Sequence, residues 1–245
     1  MVSRLGHRQS RFERMPGYYT GKLAAERLRA CYDLAPARVR AYLESEISFV
    51  LERVSPATAV LELGCGYGRV LQRLISHARS VVGIDTSLQS LQLAREFVAG
   101  GRPPRLLAMD ATRMAFVERT FDVTICIQNG ICAFAADQLS LLKEAARVTR
   151  TGGRLLFSSY SPRFWDDRMD WFERQAAHGL IGEIDHDATG DGVIVCRDGF
   201  RATTMDADGF RRLAAALNLT PQIVEVDGSS LFCEIVVPET MKDAG

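Results

Sequence analysis

No stretch of the 245-residue chain approaches eighteen uninterrupted apolar residues, so the sequence offers no candidate for a membrane-spanning helix. Thirty basic residues balance thirty acidic ones, and without net charge the chain lacks the electrostatic footprint that nucleic acid or an anionic membrane favours. Its six cysteines (Cys31, Cys65, Cys126, Cys132, Cys196, Cys233) form no C-x-x-C pair and no Cys/His group at zinc spacing, which argues against a local zinc or dithiol motif and leaves buried thiols in a reducing compartment. The opening MVSRLGHRQSRFERM contains no apolar segment of signal-peptide type, and a cytoplasmic location is expected. Four arginines in that tail leave an RNA contact open, against the simpler reading of a solvated terminus. There is no internal repeat and no low-complexity linker.

The 47% of hydrophobic residues is ample for one sizeable core. Residues 22–53 are rich in Ala, Leu, Arg and Glu, with Val39, Tyr42, Leu43, Ile47 and Val50 at helical spacing. Two helices broken near Pro36 are predicted. The texture then changes to short, nearly continuous apolar runs: TAVLEL, SVVGID, RLLAMD, FDVTICI and GRLLFSS. Strands buried on both faces read this way. Between them lie helical patterns at 69–77, 88–98 and 137–148, the last followed by TGG as a stop signal. Alternating strands and helices imply right-handed crossovers and a doubly wound sheet, with ligands beyond the carboxyl ends of the strands.

The C-terminal part departs from this alternation. Asp206 or Asp208 can cap a helix with the face Phe210, Leu213 and Leu217, and PQIVEVDGSSLFCEIVVP predicts two strands around Asp227-Gly228. The expected fold class is α/β, a doubly wound, mostly parallel seven-stranded sheet with a C-terminal antiparallel hairpin. The predicted organisation within this single domain is a tail and helical lid (1–54), a cofactor-binding core (55–161), a β-rich substrate-side insertion (162–205) and the final helix and closing hairpin (206–245).

The turn LELGCGYGRV follows the first strand. A dinucleotide fingerprint, G-x-G-x-x-G, fails here because Arg69 stands at the third glycine. Present instead are Gly64, Gly66 and Gly68 at alternate positions, preceded by Glu62, which lets backbone pass beneath a bulky ligand. A helix starting near Tyr67 would offer N–H groups to a carboxylate. Asp85, at the end of the second strand, has the spacing of a carboxylate that grips ribose hydroxyls. Asp110, at the end of the third, can accept from an adenine amino group while the Ala111 N–H meets a ring nitrogen. A strand-end aspartate that merely caps the next helix is the simpler alternative.

At these residues the sequence resembles the class I S-adenosylmethionine-dependent methyltransferases, over residues 57–161 and again in the closing hairpin. VLELGCGYG is similar to their first motif, VVGIDTSLQSLQLARE to the second and MDAT to the adenine motif. FDVTICIQNGI and LLKEAARVTRTGGRLLFSSYS are similar to the motifs of the fourth and fifth strands. The resemblance implies S-adenosylmethionine as cofactor, with Gly64, Cys65, Gly66 and Gly68 along its methionyl part, Asp85 at the ribose, Asp110 and Ala111 at the adenine, and Ile127 and Gln128 at the edge beside the substrate. Glu62 and Thr86 complete the expected set, together with a lid tyrosine: Tyr19, with Tyr18 and Tyr32 as alternatives.

Methyl transfer asks mainly for positioning, and no catalytic residue is assigned. Gln128 and Asn129 are candidates to orient a substrate polar group, although Asn-Gly also simply forms turns. Ser159 and Tyr160 face the same crevice. In the insertion, Glu183, Asp185, His186 and Asp187 would alternate faces on a strand and do not converge, so no metal is expected. FWDDRMDWF is either an aromatic wall for a cationic or planar substrate or a helix packed through Trp165, Met169 and Phe172. His178 is a candidate base or only a helix-end charge. A small-molecule acceptor is expected, with no membrane partner and nucleic acid disfavoured by the balanced charge and by QNGI where base methyltransferases carry an NPPY-type tetrapeptide. A protein that binds the cofactor without catalysis satisfies the same motifs, and an RNA or protein acceptor remains the lesser alternative.

Overall fold

The computed structural model describes residues 18, 21–100, 102–134 and 137–239. Helices α1 (Glu26–Asp33) and α2 (Ala37–Leu51) meet at Pro36, the N-cap of α2, which lacks the N–H needed to continue α1. Then come β1 (Ala59–Leu63), α3 (Arg69–Leu74), β2 (Ser80–Asp85), α4 (Leu88–Phe97), β3 (Arg105–Ala108), β4 (Phe121–Cys126), α5 (Gly130–Ala133), α6 (Gln138–Val148) and β5 (Thr149–Tyr160). After a single 3-10 turn (Pro162–Phe164) follow α7 (Trp165–Ala177), β6 (Ile194–Val195), β7 (Arg201–Ala202), α8 (Ala207–Ala215), β8 (Pro221–Val226) and β9 (Ser230–Val236). No helix among the described residues is long and apolar enough to cross a membrane.

The main sheet runs β3-β2-β1-β4-β5-β9-β8. The first five strands are parallel, and β9 pairs antiparallel with both β5 and β8. Strand order reverses between β1 and β4, so their carboxyl ends open the crevice in which such sheets bind ligands. Alternation along the strands feeds two cores: Leu61, Leu63, Leu155 and Phe157 pack with α6 and α8, whereas Val60 and Leu156 pack with α2, α3 and α4. Ser87, Asp137 and Asp206 cap α4, α6 and α8 through side chains that accept N–H groups of the first turn. The cysteines are free thiols, five buried and Cys132 partly so.

Three expectations are corrected. The sequence RLLAMD reads as a strand buried on both faces, yet β3 is the sheet edge and mostly exposed. The TGG stretch does not stop α6: Gly152 and Gly153 lie inside β5, where pairing with β4 shifts register and a Cβ on Gly153 would fall 2.7 Å from the carbonyls of Arg150 and Asp122. The insertion holds little strand, only the two-residue pair β6–β7 and isolated bridges at Ile184–Cys196 and Gly190–Val193.

What holds the insertion is α7. Arg168, 1% exposed, donates to Gly192 O (2.9 Å) and Ala202 O (3.0 Å), with its guanidinium 4.5 Å from the Tyr160 ring and 5.4 Å from Phe172. Replacing it by leucine removes both of these hydrogen bonds, with Gly192 O keeping the 3.3 Å bond from Thr204 Oγ1. Arg168→Leu is expected to cost about 3 kcal/mol in urea unfolding, with little recovery in Arg168→Lys, whose single ammonium cannot reproduce the fork.

Candidate active site

The turn after β1 is stitched to the end of β2. Gly64 and Cys65 donate to Ile84 O at 2.8 and 3.0 Å, and Gly66 N donates to Asp85 Oδ2 at 2.9 Å. Gly64 adopts φ +71°, and a side chain there would collide with the Phe134 ring. Helix α3 runs from Arg69 with Gly68 as its N-cap, two residues after the start expected near Tyr67, and is six residues long. Above the turn lies a cavity of about 850 Å³, whose lining includes Glu62, Gly64, Cys65, Gly66, Asp85, Thr86, Asp110, Ala111, Ile127 and Gln128. Ten of the twelve expected residues therefore meet in one space. Tyr19 lies outside the described residues.

Gly68 stands behind the lining. At φ +88° it caps α3, and a Cβ would sit 2.7 Å from Val98 Cγ2 and 3.2 Å from Ala94 Cβ, so its place in the structure is the α3–α4 contact. Gly68→Ala is expected to lower stability by about 2 kcal/mol in thermal melts while leaving cofactor affinity within threefold in calorimetry.

Asp85 accepts from Gly66 N and, at 2.8 Å, from Ser87 N, which leaves carboxylate lone pairs for a ligand. Burial raises its pKa against the lowering by these bonds. Asp110 lines the cavity but is exposed, and its Oδ1 accepts from Thr112 N (2.8 Å) and Oγ1 (2.7 Å), which closes a turn; the element after β3 is β4, so there is no following helix for it to cap.

Two ionisable side chains at the turn keep buried polar atoms without hydrogen bonds. Glu62 is 5% exposed, its Oε2 has no hydrogen-bond partner, and burial pushes its pKa to about 8. Arg69, met in the sequence only as a missing glycine, lines the same cavity; its Nη1 pairs with Glu44 at 3.8 Å, its Nε and Nη2 have no hydrogen-bond partner, and its guanidinium lies 5.0 Å from the Tyr32 ring. A buried carboxyl oxygen and two guanidinium nitrogens open to hydrogen bonding beside one cradle suit a zwitterionic amino acid, the methionyl end of S-adenosylmethionine.

At the end of β4, Gln128 and Asn129 hold consecutive left-handed conformations, φ +58° and +61°. Gln128 N donates to Glu46 Oε2 (2.7 Å) and Ser158 Oγ (2.8 Å). Asn129 accepts from Ser159 Oγ (2.9 Å) and donates to Thr203 O (2.9 Å), so of the expected amide pair Gln128 is the one that keeps a buried polar atom, Nε2, without a partner. Glu46 was missed in the sequence, although it falls in the apolar stripe of α2 at i+4 from Tyr42. It is fully buried, also accepts from Ser230 Oγ, and burial raises its pKa to about 7.

Helices α1 and α7 close the cavity with Leu28, Cys31, Tyr32, Trp171, Phe172 and Gln175, whereas no residue of α2 reaches it. Trp171 Nε1 donates to Cys31 O at 2.8 Å and ties the two helices together. Tyr160 lines this cavity, and Trp165 lines a neighbouring one instead. The expected stripe is thus turned: Trp171 and Phe172 face the site. His178 is remote from the lining and its ring meets Arg174 O at 2.8 Å, a helix-end contact. The 183–187 segment is a turn, with Asp185 accepting from Asp187 N and Ala188 N and Glu183 pairing with Arg197.

Residues 60–153 match the family model of a methyltransferase domain. A 2-methyl-6-phytyl-1,4-hydroquinone methyltransferase of Synechocystis sp. is 28% identical over 167 residues, 62% of this chain and 51% of that protein. The chain spans about half the length of the relatives it matches. Among solved structures, the PH0226 protein of Pyrococcus horikoshii superimposes with a TM-score of 0.62 at 22% identity, covering 84% of this chain and 93% of that one. The N-methyltransferase NodS of Bradyrhizobium japonicum, solved with S-adenosyl-l-homocysteine, gives 0.55 at 16% identity, covering 88% and 100%. These likenesses establish the fold.

Proposed function

We propose that this chain, which carries a class I S-adenosylmethionine-dependent methyltransferase domain, transfers a methyl group to a small-molecule acceptor held beneath α1 and α7. The observation that carries the reading is the set of buried polar atoms without hydrogen bonds, Glu62 Oε2 and Arg69 Nε and Nη2, beside the glycine cradle, with Asp85 on the same wall. Glu62 and Arg69 would hold the amino and carboxylate groups of the methionyl part, Asp85 the ribose, and Asp110 with Ala111 the adenine. The cofactor supplies a methyl group already activated by its sulfonium.

The protein's own part is placement and exclusion of water. Tyr32, Trp171 and Phe172 roof the cavity and hold the acceptor against the cradle, and such orientation can remove up to about 7–11 kcal/mol of a barrier. Tyr32 is not suited to take a proton at neutral pH, because burial pushes its phenol to about 12. The hydroquinone relative, by its name, acts on a small molecule, which supports that class of acceptor here.

Calorimetric titration with S-adenosylmethionine and S-adenosylhomocysteine tests the cofactor site, and both are expected to bind in the micromolar range. Release of S-adenosylhomocysteine during incubation with metabolite pools then separates an enzyme from a non-catalytic binder. Absence of heat and of any thermal shift with either ligand overturns the assignment.

A further inference from the structure

We propose that the acceptor is an uncharged, planar aromatic molecule bearing an oxygen substituent, and that the side-chain amide of Gln128 seats that oxygen. This rests on the methyltransferase reading and narrows it. The charged side chains of the cavity lining, Glu62, Arg69, Asp85, Asp110 and Asp137, come from the strand-end turns and the cap of α6. The wall built by α1, α7 and the end of β5 carries none. Its ionisable members stay neutral at physiological pH, since burial raises Tyr32 and Cys31 to about 12 and raises Tyr160 as well. An ammonium, carboxylate or phosphate seated there would lose its water and find no counter-charge among the residues of that wall. Arg69, 5.0 Å from the Tyr32 ring, further disfavours an ammonium.

The shape of this wall is aromatic. Tyr32 lies 5.8 Å from Trp171 and 5.9 Å from Tyr67 between ring centroids, tilted by 53° and 59°, and Trp171 meets Phe172 edge-on at 5.8 Å. Rings so arranged offer both faces and edges to a planar π system. Their polar handles are largely spent: the Trp171 indole N–H goes to Cys31 O, and the Tyr32 hydroxyl, protonated, donates to Gln128 Oε1 at 3.3 Å. That contact fixes which end of the amide is free. Gln128 Nε2 is buried with no partner, and its residue lines the cavity. A free donor calls for an acceptor atom on the ligand, a hydroxyl or carbonyl oxygen.

The amide is also held in place before any ligand arrives. The left-handed pair Gln128–Asn129 is clamped by Glu46 and Ser158 on the Gln128 N–H and by Ser159 and Thr203 on the Asn129 side chain. Two left-handed non-glycine residues in succession cost free energy that only such clamping sustains, and strain of this kind gathers where a ligand must be met in one geometry.

The test uses four naphthalenes of similar shape, 2-naphthol, naphthalene, 2-naphthoate and (2-naphthyl)methylammonium, with the protein saturated by S-adenosylhomocysteine and binding followed by equilibrium dialysis. 2-Naphthol is expected to bind at least tenfold tighter than the ammonium or the carboxylate. In Gln128→Leu its advantage over naphthalene should fall about tenfold. In Gln128→Glu, which keeps the shape but replaces the donor by an acceptor, the preference should move toward the ammonium. Equal or tighter binding of the ammonium by the unaltered chain, or an unchanged naphthol-to-naphthalene ratio in both variants, overturns the inference. S-adenosylhomocysteine affinity, measured on each variant, keeps the two readings apart. Its presence without naphthol binding sinks this inference alone, and its absence in the unaltered chain sinks the cofactor reading and this one with it.

Discussion

Asp85→Ala is expected to weaken S-adenosylhomocysteine binding at least a hundredfold while the chain remains folded. The carboxylate does two things at once. Its oxygens accept from Gly66 N and Ser87 N, which fixes the glycine turn against the end of β2. In the proposed site the remaining lone pairs take the ribose hydroxyls. Hydrogen bonds to a charged group contribute about 1.5–3 kcal/mol each, so loss of two ribose contacts amounts to about a hundredfold or more in affinity. Stability should change far less. Burial raises the pKa of Asp85, so ionisation of this group does not favour the ligand-free fold. Asp85→Asn should fall between, because its single carbonyl oxygen can keep one N–H but its amide nitrogen cannot accept from the other. Titration calorimetry beside thermal melts reads both quantities. Binding of either variant within threefold of the unaltered chain would remove Asp85 from the site.

Glu62→Gln should act in the opposite sense on stability. The buried carboxyl of Glu62 has its pKa raised from 4.5 to about 8, chiefly by desolvation, with Asp85 adding to the rise and Arg69 opposing it. Between those two values the native state holds a proton that the unfolded chain has released. Stability of the ligand-free protein therefore falls as pH rises from about 4.5 to 8 and levels above it. At 1.36 kcal/mol per unit the loss is about 4–5 kcal/mol. Glu46, raised to about 7 by burial, adds to the same decline over a narrower window. A glutamine at position 62 carries no charge to bury. The variant should match the unaltered chain near pH 4.5 and exceed it by about 4 kcal/mol at pH 9, in chemical unfolding without ligand. The same change should weaken S-adenosylmethionine at least tenfold, since the carboxylate proposed to meet the ligand's ammonium is gone. Ligand binding at pH 7–8 should also release a proton from Glu62, visible as a buffer-dependent heat that Glu62→Gln lacks. Unfolding free energies that rise with pH from 5 to 8 would contradict this account of Glu62.

The sequence alone determined the strand–helix alternation, a capping aspartate at 206 or 208, and the glycine turn with the carboxylates at 62, 85 and 110. Apolar period, turn glycines and capping side chains are local signals, read within a few residues of the structure they specify. Where such signals were misjudged, distant neighbours had overruled them. Gly152 and Gly153 resemble a helix stop, but the close carbonyl of Asp122 makes them a shift in β5. The alternation in the insertion promised strands, yet Arg168 and α7 hold that segment from outside, so it has little need of its own ladder.

Only the tertiary structure decided which polar atoms are left without hydrogen bonds and which rings line the cavity. Glu62 stands in the sequence only as the residue before the glycine turn and Arg69 only as a missing glycine; that both keep buried atoms without a hydrogen bond is decided by their neighbours in space. Glu46 reaches the Gln128 backbone N–H across 82 residues, and Tyr32 reaches the Gln128 side chain across 96. The turn of α7 that brings Trp171 rather than Trp165 to the site is set by Cys31 and Tyr160 on other elements. Desolvation and hydrogen-bond satisfaction depend on every neighbour in space, and no window along the chain contains those neighbours.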